Sequence, residues 1–121
     1  MREITVRPQR FTKVVSLDEK GPGGAYHAYR IETIPQDPME PIACWDIFFQ
    51  KGGIHDQGNV RGVTNEDLLA IVIDRLECFQ AGPFSCTWNE QALYHARRAL
   101  DALDARTRDR EDRGVEGKSV A

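Results

Sequence analysis

Residues 89–117, NEQALYHARRALDALDARTRDREDRGVEG, carry the clearest chemistry in this 121-residue chain. Leu93, Ala96, Leu100 and Leu103 recur at helical spacing, and Arg106, Arg110 and Arg113 continue the same stripe where a core would otherwise run on. A guanidinium is a planar fork that matches carboxylate and phosphate oxygens in pairs, so three of them on one helix face point to anion recognition. Arg108 has Asp104 and Asp112 four residues away on either side, and Arg113 has Asp109. Arg110 has only Arg106, Thr107, Arg113 and Gly114 at the three- and four-residue spacings, so its anion is expected to come from elsewhere. Six arginines face six acidic residues within residues 89–113, and the whole chain carries a net charge of −3 with pI near 5.6. Any anion site here is therefore local geometry rather than a field, and a nucleic-acid polymer is not expected as partner.

Other chemistries find less support. His27, His55 and His95 are scattered over a strand pattern, a glycine loop and a helix pattern, without a zinc-protease, nucleophile-elbow or phosphate-loop motif. His55 and Asp56 are half of an acid–base pair with no nucleophile near them in sequence. Three cysteines, Cys44, Cys78 and Cys86, cannot all pair, and none stands at metal-ligand spacing. Free apolar thiols are the expectation, with a Cys78–Cys86 bridge across a short loop as the alternative, and no metal, no cofactor and no enzymatic activity are expected.

The elements that must position the arginines change character near Gly62. Ahead of it lie period-two patterns over residues 3–7, 11–17 and 25–34, then an apolar, aromatic-rich run over residues 42–50 that reads as the most buried strand, with Asp46 as its oddity. Lys20 to Gly24 (KGPGG) forms a turn, Pro35, Pro38 and Pro41 a stiff connector, and residues 51–62 a loop. Thr64 and Asp67 open a helix as a capping box, with Leu68, Leu69, Val72, Ile73, Leu76 and Phe79 on its apolar face, until Gly82 and Pro83 stop it. Thr87 and Glu90 form a second box, opening a helix that ends at Gly114. The fold class is α+β: one domain of 121 residues with an N-terminal antiparallel β-sheet over residues 1–63, an antiparallel two-helix hairpin over 64–114 and a tail over 115–121. Phe79 and Asn89 fall at the closed end of such a hairpin and the arginines at its open end, about 25 to 35 Å away. An antiparallel partner chain would bring them together, so a homodimer or a higher assembly is expected. No secretion-signal core or membrane-length apolar run is visible, which fits a cytosolic protein.

NEDLLAIVIDRLECFQAGPFSC, residues 65–86, followed by the ALDARTRDREDRGVEGKS segment that ends at Ser119, resembles the helical hairpin of bacteriophage Thoeris anti-defence sponges, which share it with anti-CBASS cyclic-nucleotide sponges. TIPQDPMEP and CWDIFFQKG fit the β-sheet half of the Thoeris type. The resemblance implies a non-catalytic homo-oligomer, dimer or higher with a hexamer among the options. It would act in the cytoplasm of the infected bacterial host and hold a cyclic ADP-ribose isomer, or another cyclic nucleotide of the CBASS kind. Carried over, the family's aromatic falls on Phe79, its asparagine on Asn89 and its arginine on Arg106. At CTWNEQA, Trp88 stands where relatives often carry a polar residue, which bears on ligand preference.

The residue chemistry agrees with that resemblance. An ADP-ribose-like ligand asks for an aromatic plate under adenine, a planar fork on the pyrophosphate and an amide for ring or ribose edges. Phe79 or Trp88, Arg106 with Arg110 and Arg113, and Asn89 supply those types, and Arg30 on a strand face is a further phosphate candidate. The blander reading makes Phe79 core, Asn89 a helix starter and the arginine run a solvated charge ladder. From another class, the hairpin would be a structural or adaptor module for protein contacts.

Overall fold

The computed structural model describes residues 1–121 as two compact units, Met1–Gly62 and Val63–Ala121. The first is a four-stranded antiparallel sheet with strands β1 (Arg2–Glu3), β2 (Thr12–Ser16), β3 (Ala28–Thr33) and β4 (Cys44–Phe48). They are joined in chain order β1-β2-β3-β4, so every connection is a return to the neighbouring strand. The register sets Val15 opposite Arg30, and Arg30 opposite Asp46. A lone antiparallel bridge between Lys51 and Val60 closes the loop after β4. Gly62 is needed there for space, because a Cβ would meet the Phe48 carbonyl oxygen at 2.5 Å.

The second unit is the helical hairpin, α1 (Asn65–Ala81) and α2 (Thr87–Asp112) packed along each other. Its first helix opens on the expected reciprocal box: the Asp67 backbone N–H donates to Thr64 Oγ1 at 3.2 Å, and the Thr64 N–H donates to Asp67 Oδ2 at 2.9 Å. Gly82 ends α1. At the far end of α2, Gly114 takes φ 71°, the Gly114 N–H donates to the Glu111 carbonyl and the Val115 N–H to the Arg110 carbonyl, each at 3.0 Å. That is a Schellman stop, in which two orphan helix carbonyls are satisfied by a left-handed glycine turn.

Four sequence expectations change. β1 covers Arg2–Glu3 rather than residues 3–7; Ile4 still donates to the Val14 carbonyl, and Pro8, with no N–H to give, follows where the chain has left the ladder. β4 is not the most buried strand: Trp45 and Phe48 are both 56% exposed, since β4 is an edge with a neighbour on one side only. The buried strand is β2, through Val15 and Ser16. The second helix begins one residue early, with Cys86 rather than Thr87 as its cap: Cys86 Sγ accepts the Asn89 backbone N–H at 3.4 Å. The three cysteines are free, as expected, but exposed rather than set among apolar side chains.

Candidate functional site

At the closed end of the hairpin, the last two turns of α1 and the turn that follows it line an open cleft of about 470 Å³. Phe79 is 38% exposed there and meets Phe84 edge-on, with ring centroids 6.5 Å apart. Arg75, one helical turn before Phe79, lays its guanidinium carbon 5.6 Å from the Phe79 ring centroid, a cation–π contact. Asp74 and Cys78 also line the cleft. The turn is held in shape by side-chain amides. Gln80 Oε1 accepts the Cys86 backbone N–H at 3.0 Å, and Asn89 Nδ2 donates to the Phe84 carbonyl oxygen at 3.3 Å. Phe79 is therefore neither a core residue nor a free one, and Asn89 ties down the turn that carries Phe84. Trp88 is 76% exposed and is not among the residues lining the cleft.

Phe84 and Arg75 are missing from the sequence reading. Arg75 had a legible signal, the four-residue spacing to Phe79 that stacks side chains on one helix face. Phe84 had none, because a turn residue two places after Gly82 follows no period.

The arginines diverge at the other end of α2. Arg106 is exposed and has neither an ion pair nor a side-chain hydrogen bond. Arg113 keeps its expected partner, with Nε 3.1 Å from Asp109 Oδ2, and donates from Nη1 to the Ala121 carbonyl at 2.7 Å. Arg108, expected to be satisfied by Asp104 and Asp112, pairs with neither. Arg110 reverses its expectation. It is 6% exposed, and the acceptors it lacks on its own helix come from the tail. Its Nε donates to Glu116 Oε2 at 3.1 Å, Nη2 to the carbonyls of Val115 at 2.9 Å and Lys118 at 2.7 Å, and Nη1 to the Val120 carbonyl. The anion it seeks is thus inside the chain.

Arg30 is likewise engaged. On the sheet face it grips Asp46 with both prongs of its fork, Nε to Oδ1 at 2.6 Å and Nη2 to Oδ2 at 3.0 Å. This pair explains the acid in an otherwise apolar strand. The Arg30 hydrogen bonds, and after them its charge, outweigh partial burial and hold the Asp46 carboxyl below its ordinary pKa. The guanidinium is raised in turn, chiefly by the hydrogen bond to Asp46. His27, with its backbone N–H given to Asp18 Oδ2 at 3.0 Å, serves the loop before β3.

Of the sequence-predicted residues, Phe79 and Asn89 thus share one neighbourhood, while Arg106, Arg110 and Arg113 stand at the other end of the same helix. Asn89 and Arg106 are about 25 Å apart along its axis. One hairpin does not bring them together.

A β-meander, then a two-helix hairpin with an aromatic cleft at its closed end, define a hairpin-domain class rather than an isolated helix pair. Residues 46–108 match the Acb2/Tad1 hairpin domain, and the chain belongs to that family. The matched stretch contains Phe79, Asn89 and Arg106 and stops before Arg110 and Arg113. The chain is also similar to Thoeris anti-defense 1 of Bacillus phage SBSphiJ7, 48% identical over 71 residues that cover 59% of this chain. The aligned part spans about half of that relative, 49% of its length.

No helix is long and apolar enough to cross a membrane.

Proposed function

We propose that this protein is a phage anti-defence sponge, a non-catalytic protein that binds and withholds a cyclic nucleotide immune messenger inside the infected host cell. A cyclic ADP-ribose isomer of Thoeris signalling is the first candidate, and cyclic oligonucleotides of the CBASS kind the second. The observation that carries the reading is the half-exposed Phe79 in an open cleft at the hairpin's closed end, in a chain of the Acb2/Tad1 hairpin family. The name of the phage relative supports the Thoeris side.

The proposed site uses two chains. Phe79 offers a plate for a base, and Arg106, with no acid of its own, offers a fork for a phosphate. An antiparallel second hairpin sets the Arg106 end of one chain over the Phe79 end of the other. Ile71 and Val72, apolar yet exposed on α1, suit such a partner, since burying apolar area contributes roughly 25 cal/mol per Å². Enclosure between chains also suits capture, because a stoichiometric binder competes through affinity, and nanomolar dissociation corresponds to about −12 kcal/mol.

The test is a thermal-shift panel of ADP-ribose, its cyclic isomers and cyclic di- and trinucleotides against the purified protein. Stabilisation is RT ln(1 + [L]/Kd), about 4 kcal/mol at a thousandfold excess over Kd. A clear rise in melting temperature with one class of cyclic nucleotide is expected. No shift with any of them would leave the adaptor reading, in which the hairpin serves protein contacts alone.

A further inference from the structure

We infer that Phe84 and Arg75 complete the Phe79 cleft as a site for a nucleotide, Phe84 as the second aromatic wall and Arg75 as the cation that meets the nucleotide's phosphate; this rests on the nucleotide reading above. Three observations converge on the cleft. The two rings stand 6.5 Å apart with their planes at 64°, so a flat ring laid on one face presents its edge to the other. Arg75 lies against the Phe79 ring without an acidic partner, so its charge is oriented by the aromatic face and remains available. Asn89 pins the carbonyl of Phe84, which fixes the turn from which that ring projects.

Phe84 is otherwise hard to account for. A phenylalanine left 72% exposed at a turn is displaced from where burial would put it, and its one aromatic neighbour is the residue already assigned to the base. Trp88, the larger aromatic nearby, makes no ring contact and lies outside the cleft lining. Stacking on an aromatic side chain is indifferent to which base is bound, whereas an arginine selects for charge. The pair therefore favours a nucleotide over the nucleoside.

Calorimetric titration of a cyclic ADP-ribose isomer into wild type and the variants Phe84→Ala, Phe84→Leu, Arg75→Ala, Phe79→Ala and Trp88→Ala tests this. Phe84→Ala and Arg75→Ala are each expected to weaken binding by about 10- to 100-fold, the range for one lost base stack or one lost charged contact. Trp88→Ala should stay within about threefold, the loss of a side chain that touches nothing in the cleft. Phe84→Leu separates stacking from bulk and should fall with Phe84→Ala. Both positions are exposed, so melting temperatures without ligand should be nearly unchanged. If Phe79→Ala loses binding while Phe84→Ala, Phe84→Leu and Arg75→Ala do not, the inference falls and the sponge reading stands. The same holds if Trp88→Ala is the damaging change. If wild type itself takes up neither the cyclic ADP-ribose isomer nor any cyclic di- or trinucleotide, both fall.

Discussion

Replacing Arg110 by alanine should damage the fold, not only a binding site. Its guanidinium is almost entirely enclosed and gives four hydrogen bonds to the tail, one to the Glu116 carboxylate and three to the carbonyls of Val115, Lys118 and Val120. Hydrogen bonds to a charged group contribute about 1.5–3 kcal/mol each, but they do not add when one side chain makes them all. The freed tail carbonyls gain water, and the tail regains entropy at roughly 1–2 kcal/mol per residue released. The surplus lost in Arg110→Ala should be about 2 kcal/mol. In a unit of 60 to 100 residues each kcal/mol moves the melting temperature by about 4–8 °C, so a drop on the order of 10 °C is expected by calorimetry. Hydrogen exchange should show the Val115 and Lys118 amides, which donate to the Arg110 and Val115 carbonyls, losing protection. Arg106→Ala, at a position with no partner, serves as the comparison and should melt within about 2 °C of wild type. A melting temperature for Arg110→Ala as close to wild type as that of Arg106→Ala would refute the tail clamp.

Further outcomes follow for Arg106, Arg108 and Arg30. Arg106→Ala should weaken nucleotide binding by about 2 to 5 kcal/mol in calorimetric titration while leaving the unliganded protein intact; Arg108→Ala, exposed and unpaired, should leave affinity nearly unchanged, and equal losses would point to diffuse charge. Asp46 has a folded-state pKa below its unfolded value, so its pairing with Arg30 stabilises fully above the unfolded value near 4 and less as pH falls through the folded one. Urea titration should accordingly show wild type ahead of Asp46→Asn at pH 7, with the gap narrowing as pH falls below about 4; a gap of constant size would contradict the pairing.

The elements were legible in the sequence wherever local chemistry set them. Thr64 with Asp67, the Gly82–Pro83 stop and the left-handed Gly114 each have a short-range mechanism, and the structure carries all three. The misreadings occur where the deciding partner is remote. Residues 42–50 are apolar enough for a central strand, but chain order makes β4 an edge, and strand order is not a property of the strand's own residues. Asp46 is odd until Arg30 arrives beside it from sixteen residues away. Arg110 has no acid at helical spacing because its acceptors lie beyond the glycine that ends the helix, where periodicity no longer applies. At the candidate site, Phe79 and Asn89 were legible through the family pattern, whereas Phe84 depends on a turn geometry that no spacing rule encodes.

The central claim is capture without chemistry, and the fate of the bound molecule tests it most directly. Protein incubated with excess cyclic ADP-ribose isomer, freed of unbound ligand, then heat-denatured, should release the same molecule unaltered, and uptake should saturate at a fixed ratio of ligand to subunit. Chromatography showing ADP-ribose or another product, accumulating beyond one equivalent per site, would contradict it and place the protein among the nucleotide hydrolases.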